Sequence, residues 1–190
     1  MKTRESGMPE EEVWSVFFTP EEALVRLGLT RRCRDAVDFG CGYGTFTIPA
    51  ARIVRGVVYA LDIEPEMVAT TAAKANAAGL TNVLARQRDF VAEGTGLPDG
   101  SVGYAMLFNI LHAEEPRVLL QEAWRVLSQG GWLGIMHWNY DPATPRGPSL
   151  AIRPRPEQCR AWAEEAGFRL HGPALIDLPP YHYGMVMARP

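Results

Sequence analysis

Apolar residues recur along this chain with two different periods, and the switches between them outline a fold. Short apolar runs lie at 36–39, 57–61, 102–108 and 132–138, with a more polar one at 82–88. Runs of this length bounded by turn formers predict strands. Between them, 46–53, 65–78 and 116–127 space their apolar residues by three and four, the mark of a helix with one buried face. Gly79 stands where the second of these should stop. Gly130-Gly131 turns the chain into the strand at 132–138. Upstream, 10–17 and 20–29 predict two short helices, the second with Thr19 as N-cap and Pro20 at its first position. The first ten residues or so read as disordered.

Strand and helix thus alternate from Ala36 onward, which implies a parallel sheet with helices on both faces. The tail breaks the rhythm. Residues 140–156 are rich in Pro, Gly and Arg and read as a loop or lid, and 156–166 as a helix ended by Gly167. Two strands, 168–178 and 182–188, then follow with only Pro179-Pro180-Tyr181 between them. So short a link cannot hold a parallel crossover, so this pair is expected to be antiparallel. With no repeat or internal boundary, 1–190 is expected to be one domain, a helical segment or lid (1–34) ahead of an α/β core (35–190).

Composition narrows the function. A chain of 190 residues, 47% hydrophobic and 22% charged, can bury a core without staples. Its net charge of −3 offers no general attraction to nucleic acid, and Arg31, Arg32 and Arg34 read as a solvated loop. Cys33, Cys41 and Cys159 are too scattered for a disulfide framework or a zinc site, so no metal is expected. No apolar signal core opens the chain, and no apolar run is long enough for a bilayer. A reduced, cytoplasmic protein with no membrane partner is the simplest expectation.

The chemistry concentrates in Val37-Asp38-Phe39-Gly40-Cys41-Gly42-Tyr43-Gly44-Thr45-Phe46. Alternate glycines after a strand allow a tight turn and close approach of a ligand to the backbone. A dinucleotide site would normally carry Gly or Ala where Thr45 stands. Asp38, two places before the first glycine, would repel a pyrophosphate but suits an ammonium group. Asp62, at the end of the next strand, can take both hydroxyls of a ribose. A ligand with an amine, a ribose and no phosphate fits, and S-adenosylmethionine is such a ligand.

On these residues the chain resembles the class I S-adenosylmethionine-dependent methyltransferases, and especially the small bacterial enzymes grouped with the ubiquinone/menaquinone methyltransferases. The ribose motif matches at Ala60-Leu61-Asp62-Ile63-Glu64-Pro65-Glu66-Met67, a third motif at Arg88-Asp89-Phe90, and a fourth at Phe108-Asn109-Ile110-Leu111-His112. Glu122-Ala123-Trp124-Arg125-Val126-Leu127 with Gly130-Gly131 resembles the helix and turn before the fifth strand. The resemblance implies a Rossmann-like three-layer α/β sandwich whose mostly parallel seven-stranded sheet ends in an antiparallel hairpin. It also implies roles. Gly40, Cys41 and Gly42 would lie along the methionine part, with Asp38 reaching its amino group directly or through water. Asp62 would hold the ribose, Ile63 and Phe90 would sandwich the adenine, and Asp89 would accept from its amino group. Asn109 would line the methyl-donor side of the cleft.

Methyl transfer from a sulfonium is an in-line substitution on an activated donor, so alignment is the main demand and no triad or metal cluster is required. If a base is used, His112 after the fourth strand is the first candidate, His137 the second and Tyr140 the third. His171 and His182 read as structural. Asp177-Leu178-Pro179-Pro180-Tyr181 resembles the Asp/Asn-Pro-Pro-Tyr motif of amino-methylating enzymes. It lies between the last two strands, however, and so reads as a rigid hairpin turn. The expected function is methyl transfer to an O, N or C atom of a small molecule. The rivals are a non-catalytic binder of S-adenosylmethionine or its demethylated product, and a nicotinamide oxidoreductase disfavoured by Asp38 and Thr45. Monomer and homodimer both stay open.

Overall fold

The computed structural model describes residues 10–190, so the expectation of disorder before residue 10 lies outside the described residues. Two short helices, α1 (Glu11–Ser15) and α2 (Pro20–Arg26), precede a run of alternating elements. These are β1 (Ala36–Phe39), α3 (Thr47–Ile53), β2 (Val58–Asp62), α4 (Pro65–Ala77), β3 (Val83–Gln87), β4 (Val102–Phe108), α5 (Pro116–Val126) and β5 (Leu127–Trp138). The tail adds α6 (Pro156–Glu165), β6 (Arg169–Leu170), β7 (Ile176–Leu178) and β8 (His182–Ala188). Four of the six helices begin on a proline, whose fixed φ suits the first turn and whose missing N–H costs nothing there.

One sheet of order β3-β2-β1-β4-β5-β8-β6 forms the middle layer, with β7 also paired to β8. β1 to β5 run parallel, and β8 lies antiparallel to β5, pairing Trp138 with His182 and His137 with Tyr183. This is the Rossmann-like methyltransferase architecture that the sequence implied, with one strand split. The expected strand 168–178 divides into β6 and β7, both against β8, because Gly172 at φ 81° and Pro173 interrupt the ladder between them. Thr19 sits at the N-cap of α2 as expected, yet its side chain makes no capping bond.

Side-chain alternation along the strands divides the core between the two faces of the sheet. Val37, Phe39, Ala105, Leu107, Leu133 and Ile135 pack beneath α5 and α6, whereas Ala36, Val58, Tyr104, Met106 and Met136 pack beneath α2 and α3. Three helices end in the same way. Leu29 N–H donates to Leu24 O, Leu80 to Ala75 and Phe168 to Ala163, each across a glycine of positive φ that closes the last turn. No helix among the described residues is long and apolar enough to cross a membrane.

Candidate active site

The chain reverses its direction of sheet growth between β1 and β4, and ligands of open α/β sheets bind outside the strand carboxyl ends at such a point. Here the loop after β1 meets the segment after β4. A Cβ on Gly40 (φ 76°) would lie 3.0 Å from Ile110 Cδ1, so only glycine fits that approach.

The glycine loop is held by its own neighbours. Gly40 and Cys41 N–H both donate to Leu61 O, at 2.8 and 2.9 Å. Gly42 N–H donates to Asp62 Oδ2 at 2.8 Å, and Gly44 N–H to Cys41 O at 2.9 Å. From α4, Thr71 Oγ1 donates to Gly42 O at 2.8 Å and Lys74 Nζ to Tyr43 O at 2.8 Å. Lys74 also pairs with Glu11, which fastens α1 across the loop. The consequence is chemical. A pyrophosphate cradle needs free backbone N–H groups, and four in this loop are already spent.

Two buried carboxylates flank it. Asp38 is 3% exposed and accepts from Thr47 Oγ1 at 2.6 Å; burial lifts its pKa to about 7. Asp62 is 4% exposed, and Oδ1 accepts from Glu64 N–H at 3.0 Å while Oδ2 holds Gly42. Burial raises its pKa too, against the pull of those backbone bonds. Each carboxylate oxygen still has lone-pair capacity for a ligand donor. Cys41 is buried between them, and burial and both negative charges keep its thiol protonated, so it fills the turn and is no nucleophile.

The other predicted contacts fall around this centre with differing roles. Ile63 is half-buried directly after Asp62. Phe90 is buried and packs edge-on against Phe39 at 5.4 Å between centroids, as a core residue beneath the loop. Asp89 Oδ1 accepts from Ala92 N–H at 3.0 Å and thereby caps the turn that follows β3. Asn109 has a φ of 55°, in the left-handed region that asparagine tolerates better than most residues. Its side-chain amide is buried with neither Oδ1 nor Nδ2 hydrogen-bonded. A strained residue with an orphaned amide at the strand switch is the signature of a side chain that awaits a ligand.

Past Asn109 the histidines gather. His112 Nδ1 lies 3.3 Å from His137 Nε2, with the two rings edge to face. His137 is fully buried and its Nδ1 has no partner. Burial and the Arg153 charge hold His112 down at about 4, and burial holds His137 well below its ordinary range, so both are neutral at physiological pH. Tyr140 does not join them; it stacks beneath the Arg155 guanidinium, 3.7 Å from the ring centroid. His171 lies against Trp132, away from the cleft.

Sequence reasoning missed three contributors. His182, read as structural, is 1% exposed and packs on Trp138 and Phe18, with Nε2 unpartnered. Only its cross-strand register with Trp138 brings it there. Arg153 donates to Asn139, Asp141, Arg146 and Pro148 carbonyls and to Thr144, and so ties the 139–153 loop into one body. Thr47, the partner of Asp38, was visible in the sequence as a polar residue in the first turn of α3. The aromatic segment before α2 packs over the strand ends: Phe17 and Phe18 lie 5.4 and 6.2 Å from Trp138, and Phe18 5.3 Å from Phe46. Among the described residues, no three His, Cys, Asp or Glu side chains are gathered to hold a metal ion.

A parallel sheet with this reversal, a self-satisfied glycine loop and buried carboxylates after β1 and β2 define a class I S-adenosylmethionine-binding fold. The chain belongs to the family of methyltransferase domains, which matches residues 36–131. It is an S-adenosylmethionine-dependent methyltransferase in fold and family, and S-adenosylmethionine is its cofactor. A solved structure of a S-adenosylmethionine-dependent methyltransferase from Aquifex aeolicus is 26% identical over 94% of this chain and 93% of its own, with a TM-score of 0.81. The [4+2]-cyclase SpnF is 17% identical over 98% of this chain and 85% of its own, at a TM-score of 0.77. The geranyl diphosphate C-methyltransferase of Streptomyces coelicolor, in complex with S-adenosyl-L-homocysteine, is 14% identical over 95% and 78%, at 0.74. These last two share the fold alone. No curated protein matches the chain.

Proposed function

We propose that the protein transfers the methyl group of S-adenosylmethionine to a small molecule bound at the carboxyl ends of β4 and β5. The observation that carries the donor half of this reading is the pair of buried carboxylates beside a loop whose N–H groups are spent. Asp38 takes the methionine ammonium, Asp62 the ribose hydroxyls, and Gly40, Cys41 and Gly42 the close approach of the methionine chain. Ile63 and Phe90 flank the adenine, Asp89 accepts from its amino group, and Asn109 turns its free amide to the donor. The donor brings an activated methyl on a sulfonium, so the protein's own task is alignment. His112 and His137 face the acceptor. Residues 1–34 act as a lid within one methyltransferase domain, and a small acceptor is favoured because α1 and the 139–153 loop both crowd the strand ends. The motifs that resemble the ubiquinone/menaquinone group point the same way.

A test follows from Asp38. A carboxyl at about 7 is mostly protonated at pH 6, and an ammonium placed beside it favours the ionised form. Donor binding at pH 6 is therefore expected to release close to one proton. Calorimetry in buffers of different ionisation enthalpy reads this directly: the binding heat should vary with buffer for the wild type and not for Asp38→Asn. A wild-type heat independent of buffer at pH 6 would remove Asp38 from the ammonium site.

A further inference from the structure

The buried ionisable groups are sorted along the cleft. Among the described residues, the buried carboxylates are Asp38 and Asp62, both at the donor end after β1 and β2. The buried imidazoles and guanidinium are His137, His182 and Arg153, all at the ends of β5 and β8 or in the loop against them, with half-buried His112 beside His137. Arg153 is 7% exposed, forms no ion pair among the described residues, and is matched only by carbonyl and hydroxyl oxygens. A buried cation ordinarily has a counter-anion, because neutral dipoles repay only part of its lost hydration. His137 Nδ1 and His182 Nε2 are left without partners in the same quarter of the molecule.

We propose, on the methyltransferase reading above, that the acceptor presents its nucleophile as an oxyanion (a carboxylate or an acidic phenol already ionised), held by His112 in the positive field of Arg153. His137 Nε2–H donates to His112 Nδ1, which leaves His112 as the tautomer whose Nε2–H faces the acceptor. His112 touches substrate as a hydrogen-bond donor; His137 is a positioning residue that fixes its tautomer. Methyl transfer to such an oxygen forms the C–O bond as the C–S bond breaks. The electron pair passes to sulfur, anion and sulfonium neutralise each other, and no proton has to be removed.

The alternatives fit less well. A neutral phenol, with an ordinary pKa of about 10, would give its proton to an imidazole held at about 4 only with a penalty of ~10⁶-fold. An aliphatic alcohol would be worse. A protonated amine would meet the Arg153 charge with no buried carboxylate at that end to receive it.

Aromatic probes suit the Phe18 and Trp138 surroundings, so the test uses four of similar shape. The protein is first titrated with S-adenosylhomocysteine; the loaded protein is then titrated calorimetrically with benzoate, 4-nitrophenolate, benzamide and benzylamine. At least one anion is expected to bind tenfold or more tightly than both benzamide and benzylamine. Tighter benzoate assigns a carboxylate acceptor, and tighter 4-nitrophenolate a phenolate. His112→Phe should lose the preference, and His112→Gln, which keeps an N–H donor, should retain most of it. Equal binding of charged and neutral probes, a preference for benzylamine, or no binding of any probe overturns the proposal. Failure at the first titration overturns the donor reading itself, and this proposal with it.

Discussion

Asp62→Ala is expected to weaken S-adenosylhomocysteine binding at least tenfold, and by about 150-fold if two ribose bonds of about 1.5 kcal/mol each are lost. The carboxylate has two jobs. Its oxygens accept Gly42 and Glu64 N–H, which fixes the loop against β2, and their remaining lone pairs serve the ligand. Asp62→Asn separates the two: its amide oxygen can still accept one of these bonds, and the charge is gone. It should therefore fall between wild type and alanine in calorimetric titration. An alanine variant with an unchanged dissociation constant would remove Asp62 from the ribose site.

The largest expected loss of stability lies on the opposite face of the sheet, at Gly134 in β5. A methyl group there would overlap Tyr104 Oη, and would also stand 3.2 Å from Phe108 Cε1. Tyr104 is fully buried, and its hydroxyl donates at 2.7 Å to Leu27 O at the end of α2. Gly134→Ala therefore both overpacks a close-fitting core and breaks the bond that ties α2 to the sheet. Overpacking and an orphaned buried carbonyl together should cost about 3 kcal/mol, which lowers Tm by roughly 6–12 °C in a chain of this size. Adding Tyr104→Phe removes the clash but not the orphaned carbonyl, so the double variant should recover part of the loss. Thermal unfolding of the three variants measures it. Additive losses would show that Tyr104 and Gly134 do not compete for one space.

The donor half of the site was legible in the sequence because its parts are local. A strand, alternate glycines and an acidic residue at the end of the next strand are fixed by chain order, and parallel pairing of β1 with β2 sets Asp38 opposite Ala60, beside Asp62. The acceptor half depends on pairings that the sequence does not spell out. His182 reaches the cleft only because β8 runs antiparallel to β5 with that residue opposite Trp138. Arg153 matters only once the loop it binds has closed around it. The split of the expected 168–178 strand was written in Gly172-Pro173, where proline lacks the ladder N–H and glycine turns the backbone to positive φ. Helix α1 ends at Ser15 rather than at Phe17 because Phe17 and Phe18 pack across the strand ends onto Trp138, a tertiary demand that local periodicity does not carry.

The placement of Phe90 and Asp89 teaches the same lesson from the other side. Both match the third motif, yet Phe90 is anchored on Phe39 in the core and Asp89 on the turn of Ala92. A residue can carry a motif position and a structural role together, and the two are separated only by what a substitution does to ligand affinity. Asn109 is the reverse case. Its backbone strain and orphaned amide leave it without a structural reward in the free protein.

The central claim is that this glycine loop and its two carboxylates hold an adenosyl ligand with an ammonium and no phosphates. Calorimetric titration of the purified protein with S-adenosylmethionine, S-adenosylhomocysteine and NAD tests it most directly. Micromolar binding of the two adenosyl ligands with no heat from NAD is the predicted result. Binding of NAD with neither adenosyl ligand would contradict it, and would mean that the spent N–H groups of the loop open to a pyrophosphate.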